Sequence, residues 1–413
     1  MSSTVAEPKK ALAIVSTPED VQNASNLQQQ KTGAPMQLSE ATTASMEIIQ
    51  DEDFLKKFGT ATPVNGGDVL DGLTSYFAKY EVPIGMINKL LVLSEYKLNF
   101  LVGDSGSMSN ETDAQTKEAH PIMQQKFSRE GRSGKMTRWE EVEDRLHVMV
   151  DMLAFVPTED IVMNFLNRHG SVTLSHKGKT PAEFSAEAHA KISEAFRAGP
   201  NGGTPIYGKL SKAFEKTKVS TMHYLFTDGE PSDASIEDVK TLVINRQNPK
   251  MSPLTFMTCT DQDEADWMKE VEEVAPFTAE LDDFKSERAE VLKDQGPTFP
   301  FSKGFWLLCQ LVAAINPDDL DALDESTPFT KMTMDNLMGR KLTTQEYEHY
   351  FNNNPNAKKY SHLINEFARE DILAKQILAN NPQAAKSSNA FLGMFKPPAH
   401  VTSSQTSSSS HRP

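Results

Sequence analysis

Hydrophobic and polar positions follow two different periods along the middle of the chain. Short apolar runs at 98–102 and 221–227 have the length and composition of buried strands. Segments between such runs, for example 137–156 and 181–196, carry apolar residues at helical spacing. This alternation predicts a doubly wound, mostly parallel α/β sheet with helices on both faces, in which ligands bind at the carboxyl ends of the strands.

The same pattern predicts the remaining elements of the folded region. Further strands are expected at 161–167, 171–175 and 253–260, and further helices at 206–217, 235–247 and 263–275. A strongly apolar segment at 304–315 predicts a helix that packs on the domain. Two amphipathic helices are expected after it, at 332–351 and 359–378.

Changes in composition divide the chain into five parts. The ends are rich in Ser, Thr, Gln and Pro, which predicts a flexible N-terminal tail and a disordered Ser-rich C-terminal tail. Both tails help to explain why only 38% of the chain is hydrophobic. The predicted parts are the N-terminal tail (1–65), a helical lead-in (66–96), the α/β domain (97–278), an acidic linker with a helical C-terminal region (279–380), and the C-terminal tail (381–413).

The 413-residue chain carries a formal net charge of −15, most of it in one segment. Between Cys259 and Thr327 there are 18 Asp and Glu residues against 5 Lys and Arg residues. The negative total argues against nucleic acid or an anionic membrane surface as the main partner. The acidic segment has two readings: solvated helix faces and loops, or an acidic surface that attracts cations or a basic partner.

Cysteine content and hydropathy indicate the compartment. The only two cysteines, Cys259 and Cys309, exclude a disulfide framework and a cysteine-based zinc site, and both lie in apolar segments that predict burial. His223 alternates with apolar residues and is expected to be a packed strand residue.

No apolar run reaches the ~20 residues of a membrane span, and the N-terminus does not resemble a signal peptide. We expect a cytoplasmic protein, with export by a non-Sec route left open.

Hydroxyl and carboxylate side chains lie at three of the turns that connect the predicted strands and helices. Ser105 and Ser107 come after the first strand, Thr204 lies in the turn NGGTPI, and Asp228 ends the strand TMHYLFT. Oxygen ligands with little total charge suit a hard cation such as Mg²⁺ that keeps an open coordination position. Each side chain alone would be an ordinary turn residue, so the prediction of a metal site depends on their joint occurrence.

The segments SGSM, NGGTPI and LFTDGEP together resemble the von Willebrand factor A domain over roughly residues 97–278. The resemblance implies the fold of that family and its metal-ion-dependent adhesion site. It also implies that Ser105, Ser107, Thr204 and Asp228 bind Mg²⁺ or Mn²⁺. A protein partner with an acidic side chain would then complete the coordination of the ion.

The sequence departs from the family pattern at the aspartate that opens the first motif. Gly103 occupies that position, and Asp104 occupies the next one, which is variable in the family. Successive residues of a strand point to opposite faces, so Asp104 joins the ligand set only with a local bulge. Two readings remain open: a weakened site that still holds the ion, with Asp104 among the candidate ligands, and a degenerate site kept as a turn. Asp233 and Asp261 are candidates for supporting roles.

The leading functional hypothesis is a protein-interaction module that binds its partner through the divalent cation. The loop at 109–136, beside the site, would then set which partner fits. The alternatives are a metal-independent scaffold with a vestigial site and an effector moved into another cell. A hydrolase is less favoured, because no G-x-S-x-G, H-E-x-x-H, Walker or G-x-G-x-x-G motif occurs at a strand-to-helix turn.

Overall fold

The computed structural model describes residues 77–364, apart from 157, 159, 216, 260–265, 316–322 and 324–326. All of these residues belong to the compact unit Met1–Arg369. The predicted tails, the first part of the lead-in and Asp261 lie outside the described residues, as does the predicted helix at 359–378 beyond residue 364.

The strands form one six-stranded sheet and one two-stranded hairpin. Their bounds are β1 Lys97–Val102, β2 Glu111–Gln115, β3 Lys135–Thr137, β4 Ile161–Phe165, β5 Val172–Leu174, β6 Thr221–Thr227, β7 Leu254–Thr258 and β8 Thr278–Leu281. The large sheet has the order β5-β4-β1-β6-β7-β8, and the hairpin pairs β2 with β3 in antiparallel register. Every pair in the large sheet is parallel except β4 with β5.

This strand order confirms the predicted doubly wound, mostly parallel sheet. Taken in chain order, the six strands lie as 3-2-1-4-5-6, which is the Rossmann-like arrangement. The order reverses between β1 and β6, whose pairing runs from Lys97 opposite Thr221 to Val102 opposite Phe226. A crevice opens at such a reversal, and this is where doubly wound sheets place their ligands. The fold therefore predicts a ligand site beside the residues that follow Val102 and Thr227.

Helices cover the sheet and extend the chain beyond it. Their bounds are α1 Ile84–Ile87, α2 Pro121–Glu130, α3 Arg138–Leu153, α4 Pro181–Phe196, α5 Ile206–Glu215, α6 Ile236–Ile244, α7 Asp266–Val274, α8 Phe284–Gln295, α9 Lys303–Val312, α10 Lys331–Met338, α11 Thr344–Asn353 and α12 Ala357–Tyr360. Short 3₁₀ helices occur at Ala78–Tyr80, Asn88–Glu95, Gly106–Ser109, Thr116–Glu118, Pro249–Met251, Ala313–Ile315 and Ser361–Leu363. None of the helices in the described part of the chain has the length and apolar character needed to span a membrane.

The start of α3 is fixed by local sequence chemistry. The Thr137 hydroxyl accepts a hydrogen bond from the Glu140 amide at 3.2 Å, and the Glu140 carboxylate accepts one from the Thr137 amide at 2.9 Å. This capping box satisfies two amides that a helix N-terminus leaves unpaired. Thr137 is thus the N-cap of α3, and the next residue, Arg138, occupies the first helical position.

The apolar helix predicted at 304–315 packs on the domain as expected. Residues of α9 are almost entirely buried, and the Tyr224 hydroxyl donates a 2.7 Å hydrogen bond to the Leu311 carbonyl. The Trp306 indole donates to the Asp282 carbonyl at 3.1 Å, and the Arg145 guanidinium lies 4.5 Å from its ring centroid. These contacts join α9 to α3 and to both β6 and the end of β8.

Several elements differ from the sequence-based expectation. The segment 109–136, expected to be a loop, contains β2, α2 and the start of β3, and α8 lies in the segment expected to be an acidic linker. The helix predicted at 332–351 is broken into α10 and α11, because Gly339 takes a left-handed conformation with φ 64° and ends α10. Strand β8, which crosses the expected domain boundary at 278, was not predicted. Its sequence TAEL has four residues and a central Glu280, so it lacks the apolar run of a buried strand.

Candidate functional site at the strand ends

Three of the predicted ligands meet where β1 and β6 end. The Ser105 hydroxyl lies 2.9 Å from the Ser107 hydroxyl and donates a 3.1 Å hydrogen bond to Asp228 Oδ1. Ser105 follows β1, Ser107 lies in the short 3₁₀ helix after it, and Asp228 follows β6. Parallel strands bring their carboxyl ends to one edge, so residues 123 positions apart in the chain become neighbours.

The spacing of these oxygens fits a small, hard cation. Adjacent ligands of an octahedral Mg²⁺ ion at 2.0–2.1 Å lie ~2.9 Å apart. The two observed separations, 2.9 and 3.1 Å, are close to that distance. Two hydroxyls and one carboxylate are also the donor types that Mg²⁺ and Mn²⁺ prefer. By geometry and by chemistry, the residues fit the ion that the sequence implies.

Thr204 lies in a loop that contacts the serine turn. Its amide donates a 2.8 Å hydrogen bond to the Ser232 hydroxyl, and its carbonyl accepts one from the Ser232 amide at 2.9 Å. The Gly106 amide donates to the Gly202 carbonyl at 3.1 Å, which joins this loop to the turn that holds Ser105 and Ser107. The backbone thus joins the loop that carries the half-buried Thr204 to the serine turn.

A positive charge already occupies one side of Asp228. Arg138 Nη1 donates a 3.0 Å hydrogen bond to Asp228 Oδ2, in a pair with 13% of the arginine and 1% of the aspartate side chain exposed. Sequence analysis missed this residue, because its only visible role was to start α3. The guanidinium neutralises the one carboxylate among the converging oxygens, so a divalent cation at the same carboxylate would meet electrostatic repulsion.

The Asp104 carboxylate points to different partners. Its Oδ1 accepts hydrogen bonds from the Asn167 amide at 2.8 Å and from Asn167 Nδ2 at 2.9 Å, and its Oδ2 lies 3.1 Å from Arg168 Nε. The Asp104 carbonyl accepts a bond from the Asn201 amide at 2.7 Å. The structure therefore places this buried carboxylate against the loop that follows β4 and not against the serine hydroxyls. This placement is expected, because successive residues of an extended chain point to opposite faces of the sheet.

Close backbone packing accounts for glycine at position 103. The Gly103 amide donates a 2.8 Å hydrogen bond to the Phe226 carbonyl, and a Cβ at this position would lie 2.7 Å from that oxygen. Any larger residue requires the end of β1 to move away from β6. Restoring an aspartate here would therefore change the backbone as well as add a carboxylate.

Asp233 has a structural role near the site. Its two carboxylate oxygens accept hydrogen bonds from the Tyr207 amide at 3.1 Å and the Gly208 amide at 2.8 Å, where they satisfy unpaired amides at the start of α5. Asp233 thus lies near the site, but both of its carboxylate oxygens bind the N-terminus of α5.

The histidine and cysteines singled out by the sequence are packed as predicted. His223 Nδ1 is 2.9 Å from Asn99 Nδ2 and its Nε2 is 3.3 Å from the Thr217 hydroxyl. Burial lowers the pKa of His223 to about 3. Cys259 and Cys309 are both buried and do not form a disulfide, and burial raises the pKa of the Cys259 thiol to about 12.

A cavity of about 460 Å³ opens beside Arg138, and charged side chains of both signs line it. Its walls include β2, from the loop at 109–136, and the first turns of α8. Hydrogen bonds from Lys285 and Lys135 lower the pKa of Asp113 on this wall to about 2. The lining residues are Glu111, Thr112, Asp113, Ala114, Gln115, Glu118, Arg138, Glu141, Arg145, Cys259, Asp283, Phe284, Lys285, Arg288, Ala289, Lys303 and Trp306.

Comparison with known proteins gives distant similarities. No protein-family model matches the sequence, and no curated protein matches it. The manganese-loaded TRAP protein of Plasmodium vivax is 16% identical, with a TM-score of 0.31, over 47% of this chain and 71% of that chain. A von Willebrand factor type A protein from Catenulispora acidiphila is 12% identical, with a TM-score of 0.27, over 56% of this chain and 43% of that chain. The strand order, and not these similarities, defines the fold.

Proposed function

We propose that the protein is an interaction module of the von Willebrand factor A type. In this proposal, an acidic side chain of a partner protein binds at the carboxyl ends of β1 and β6. The observation that carries the proposal is the convergence of Ser105, Ser107 and Asp228 at the point where the strand order reverses. Both the spacing and the donor types of these side chains suit a divalent cation.

The residues that would hold Mg²⁺ or Mn²⁺ are Ser105, Ser107, Thr204 and Asp228. When bound, the ion supplies a directed positive charge and an open position for an oxygen ligand of the partner. The hydroxyls act as neutral ligands, so Asp228 supplies the only negative charge from this set. A site with so little charge binds the ion weakly on its own and gains from a further carboxylate, which the partner would supply.

Arg138 supports a second candidate function, in which binding needs no metal. Its guanidinium already pairs with Asp228, and it borders the cavity formed by β2 and α8. An arginine presents several donors to a carboxylate in a planar arrangement, so it recognises an acidic side chain directly. In this alternative, Arg138 itself would serve as the positive charge that meets the partner.

Calorimetric titration of Mg²⁺ and Mn²⁺ into the full chain tests the metal-dependent proposal. We expect measurable binding in the wild type and loss of at least about tenfold in affinity in Asp228→Asn and Ser105→Ala. Asp233→Asn is the matched control, because it changes a nearby carboxylate that caps α5 and should leave the affinity unchanged. Absence of binding in the wild type, or equal loss in the control, contradicts the proposal.

Partner capture with and without chelator separates the two candidates. A partner that is released by EDTA and lost in Asp228→Asn supports the metal-dependent function. A partner that survives EDTA but is lost in Arg138→Met supports direct recognition by the guanidinium. A partner that survives both changes contradicts both candidates and places its binding surface elsewhere on the protein.

A further inference from the structure

A second cluster of metal-ligating side chains lies between α2, α3 and α4. His120 precedes α2, Asp151 lies near the end of α3, and His189 lies in α4. One ligand atom from each of these residues lies within 4.8 Å of the other two. Arg138 and Asp151 stand at opposite ends of α3, about 20 Å apart at 1.5 Å per residue, so this cluster is separate from the site at the strand ends.

Asp151 is the centre of the cluster. Its Oδ2 is 3.1 Å from His120 Nε2, and its Oδ1 is 2.9 Å from His189 Nε2. His120 and Asp151 are buried, and 14% of the His189 side chain is exposed. The two imidazoles therefore meet one carboxylate in a largely dry interface, and His189 borders the solvent from which an ion would enter.

We infer that His120, His189 and Asp151 bind a first-row transition-metal ion of the Zn²⁺ class. Two imidazole nitrogens and one carboxylate form a ligand set suited to Zn²⁺ that leaves one position for water. Ligands of a tetrahedral Zn²⁺ ion lie about 3.3 Å apart. Each imidazole nitrogen is 2.9 or 3.1 Å from a different oxygen of Asp151, and one ligand atom from each of the three residues lies within 4.8 Å of the others. Binding requires the two histidine nitrogens to converge on the same ion.

The surroundings of His189 match those of a metal-bound histidine. Its Nδ1 lies 2.9 Å from Nδ1 of His147, the residue one turn before Asp151 on the same face of α3. When Nε2 binds a metal, Nδ1 carries the proton and usually donates it to a neighbouring acceptor, which fixes the ring. His147 supplies this acceptor, and its own Nε2 faces the Ser193 hydroxyl at 3.5 Å and Glu143 Oε1 at 3.9 Å.

The protonation pattern explains how the cluster is satisfied without metal. The Ile122 amide donates to His120 Nδ1 at 3.3 Å, so the proton of a neutral His120 sits on Nε2 and points at Asp151. His189 donates to the other oxygen in the same way when His147 donates to its Nδ1. Metal binding moves the protons of His120 and His189 from Nε2 to Nδ1. The proton of His147 then moves to its Nε2, which faces Ser193 and Glu143, and His120 loses the weak bond from the Ile122 amide.

A structural function follows from where the ligands lie. Each comes from a different helix or helix terminus, so one ion would crosslink α2, α3 and α4. The sequence gives little sign of this, because the three residues are far apart in the chain and only the spacing of His147 and Asp151 is readable as one helix face.

Titration of the metal-free full chain with Co²⁺ and Zn²⁺ tests the inference. We expect Co²⁺ to give visible d–d absorption that Zn²⁺ abolishes by displacement. Zn²⁺ at about 100 times its Kd should raise the melting temperature by about 5 °C or more. His189→Gln and Asp151→Asn should each lose both signals, while His176→Gln, a buried histidine packed against Phe184 outside the cluster, should keep them.

Several outcomes would overturn the inference. One is a wild-type protein with no Co²⁺ absorption and no stabilisation by Zn²⁺, a result that does not depend on whether any variant folds. Another is equal stabilisation in the wild type, His189→Gln and Asp151→Asn, which would show adventitious binding at other histidines. The Mg²⁺ titration at the strand ends is independent of both results, so failure of one site is distinguishable from failure of the other.

Discussion

Replacing Arg138 with methionine should strengthen the binding of Mg²⁺ at the strand ends. The guanidinium donates to Asp228 Oδ2 at 3.0 Å, while Oδ1 of the same carboxylate faces the Ser105 hydroxyl. A cation that binds on the serine side shares this carboxylate with the arginine. Methionine retains much of the apolar stem of arginine and removes the charge.

Coulomb's law sets the size of the effect. An ion held by one carboxylate oxygen and a guanidinium held by the other lie roughly 6 Å apart. A double and a single positive charge at ~6 Å repel by about 1.4 kcal/mol in a medium as polar as water, and by more where the site excludes water. Since ~1.4 kcal/mol corresponds to a tenfold change in an equilibrium constant, Arg138→Met should lower the Kd for Mg²⁺ at least about tenfold.

Calorimetry at fixed ionic strength measures this change directly. Lys285→Met is the matched control: it removes an equal charge from the same cavity, but this lysine is 76% exposed and well screened, so Kd should change less than about twofold. The metal-free Arg138→Met protein should also be less stable by about 3 kcal/mol, because it leaves a buried carboxylate unpaired, and Mg²⁺ should restore that loss. An unchanged or weaker Mg²⁺ affinity in Arg138→Met refutes the reasoning.

Three further predictions concern other parts of the fold. Burial, together with the nearby charge of Asp282, raises the pKa of Glu280 well above its usual range. The folded protein therefore holds this proton more tightly than the unfolded chain does. As a result, the contribution of Glu280 to the free energy of unfolding falls as the pH rises from the pKa in the unfolded chain toward the pKa in the folded protein. Glu280→Gln should therefore melt at least about 2 °C higher at pH 8, and a lower melting temperature contradicts this assignment. Gly85→Ala should cost roughly 1–3 kcal/mol in chemical denaturation, because its Cβ would overlap the Asn336 carbonyl, whereas Gly106→Ala has open space and should be neutral. Asp104→Asn should lower the melting temperature but change the Kd for Mg²⁺ less than about twofold, and a tenfold loss would place its carboxylate among the ligands.

The sequence predicted those parts of the fold that depend on local pattern. Strands β1, β4, β6 and β7 are largely apolar and are buried or half-buried. Thr137 and Glu140 form the capping box that starts α3. Strand β8 was missed because Glu280 interrupts its apolar pattern, although the strand is buried at the edge of the sheet. The break at Gly339 was readable as a helix C-terminus, but the amphipathic pattern on both sides obscured it.

The candidate site was predictable to the extent that it follows from topology. Ser105 and Asp228 meet because parallel strands end at one edge, which is a general rule of the fold. The pairing of Arg138 with Asp228 depends on how α3 packs across the strand ends, and no local pattern encodes that distance. The contacts of Asp104 could not be predicted for the same reason, since its partners Asn167 and Arg168 lie more than 60 residues away in the chain.

An anomalous-scattering experiment on crystals soaked in Mn²⁺ tests the central proposal most directly. We expect an anomalous peak in contact with Asp228 Oδ1 and the hydroxyls of Ser105 and Ser107, with the Arg138 guanidinium moved away from the ion. The same soak of Asp228→Asn crystals should lose this peak and keep the fold. Wild-type crystals without a peak at the strand ends, and with Arg138 still paired to Asp228 at high Mn²⁺ concentration, would contradict metal-dependent binding at this site.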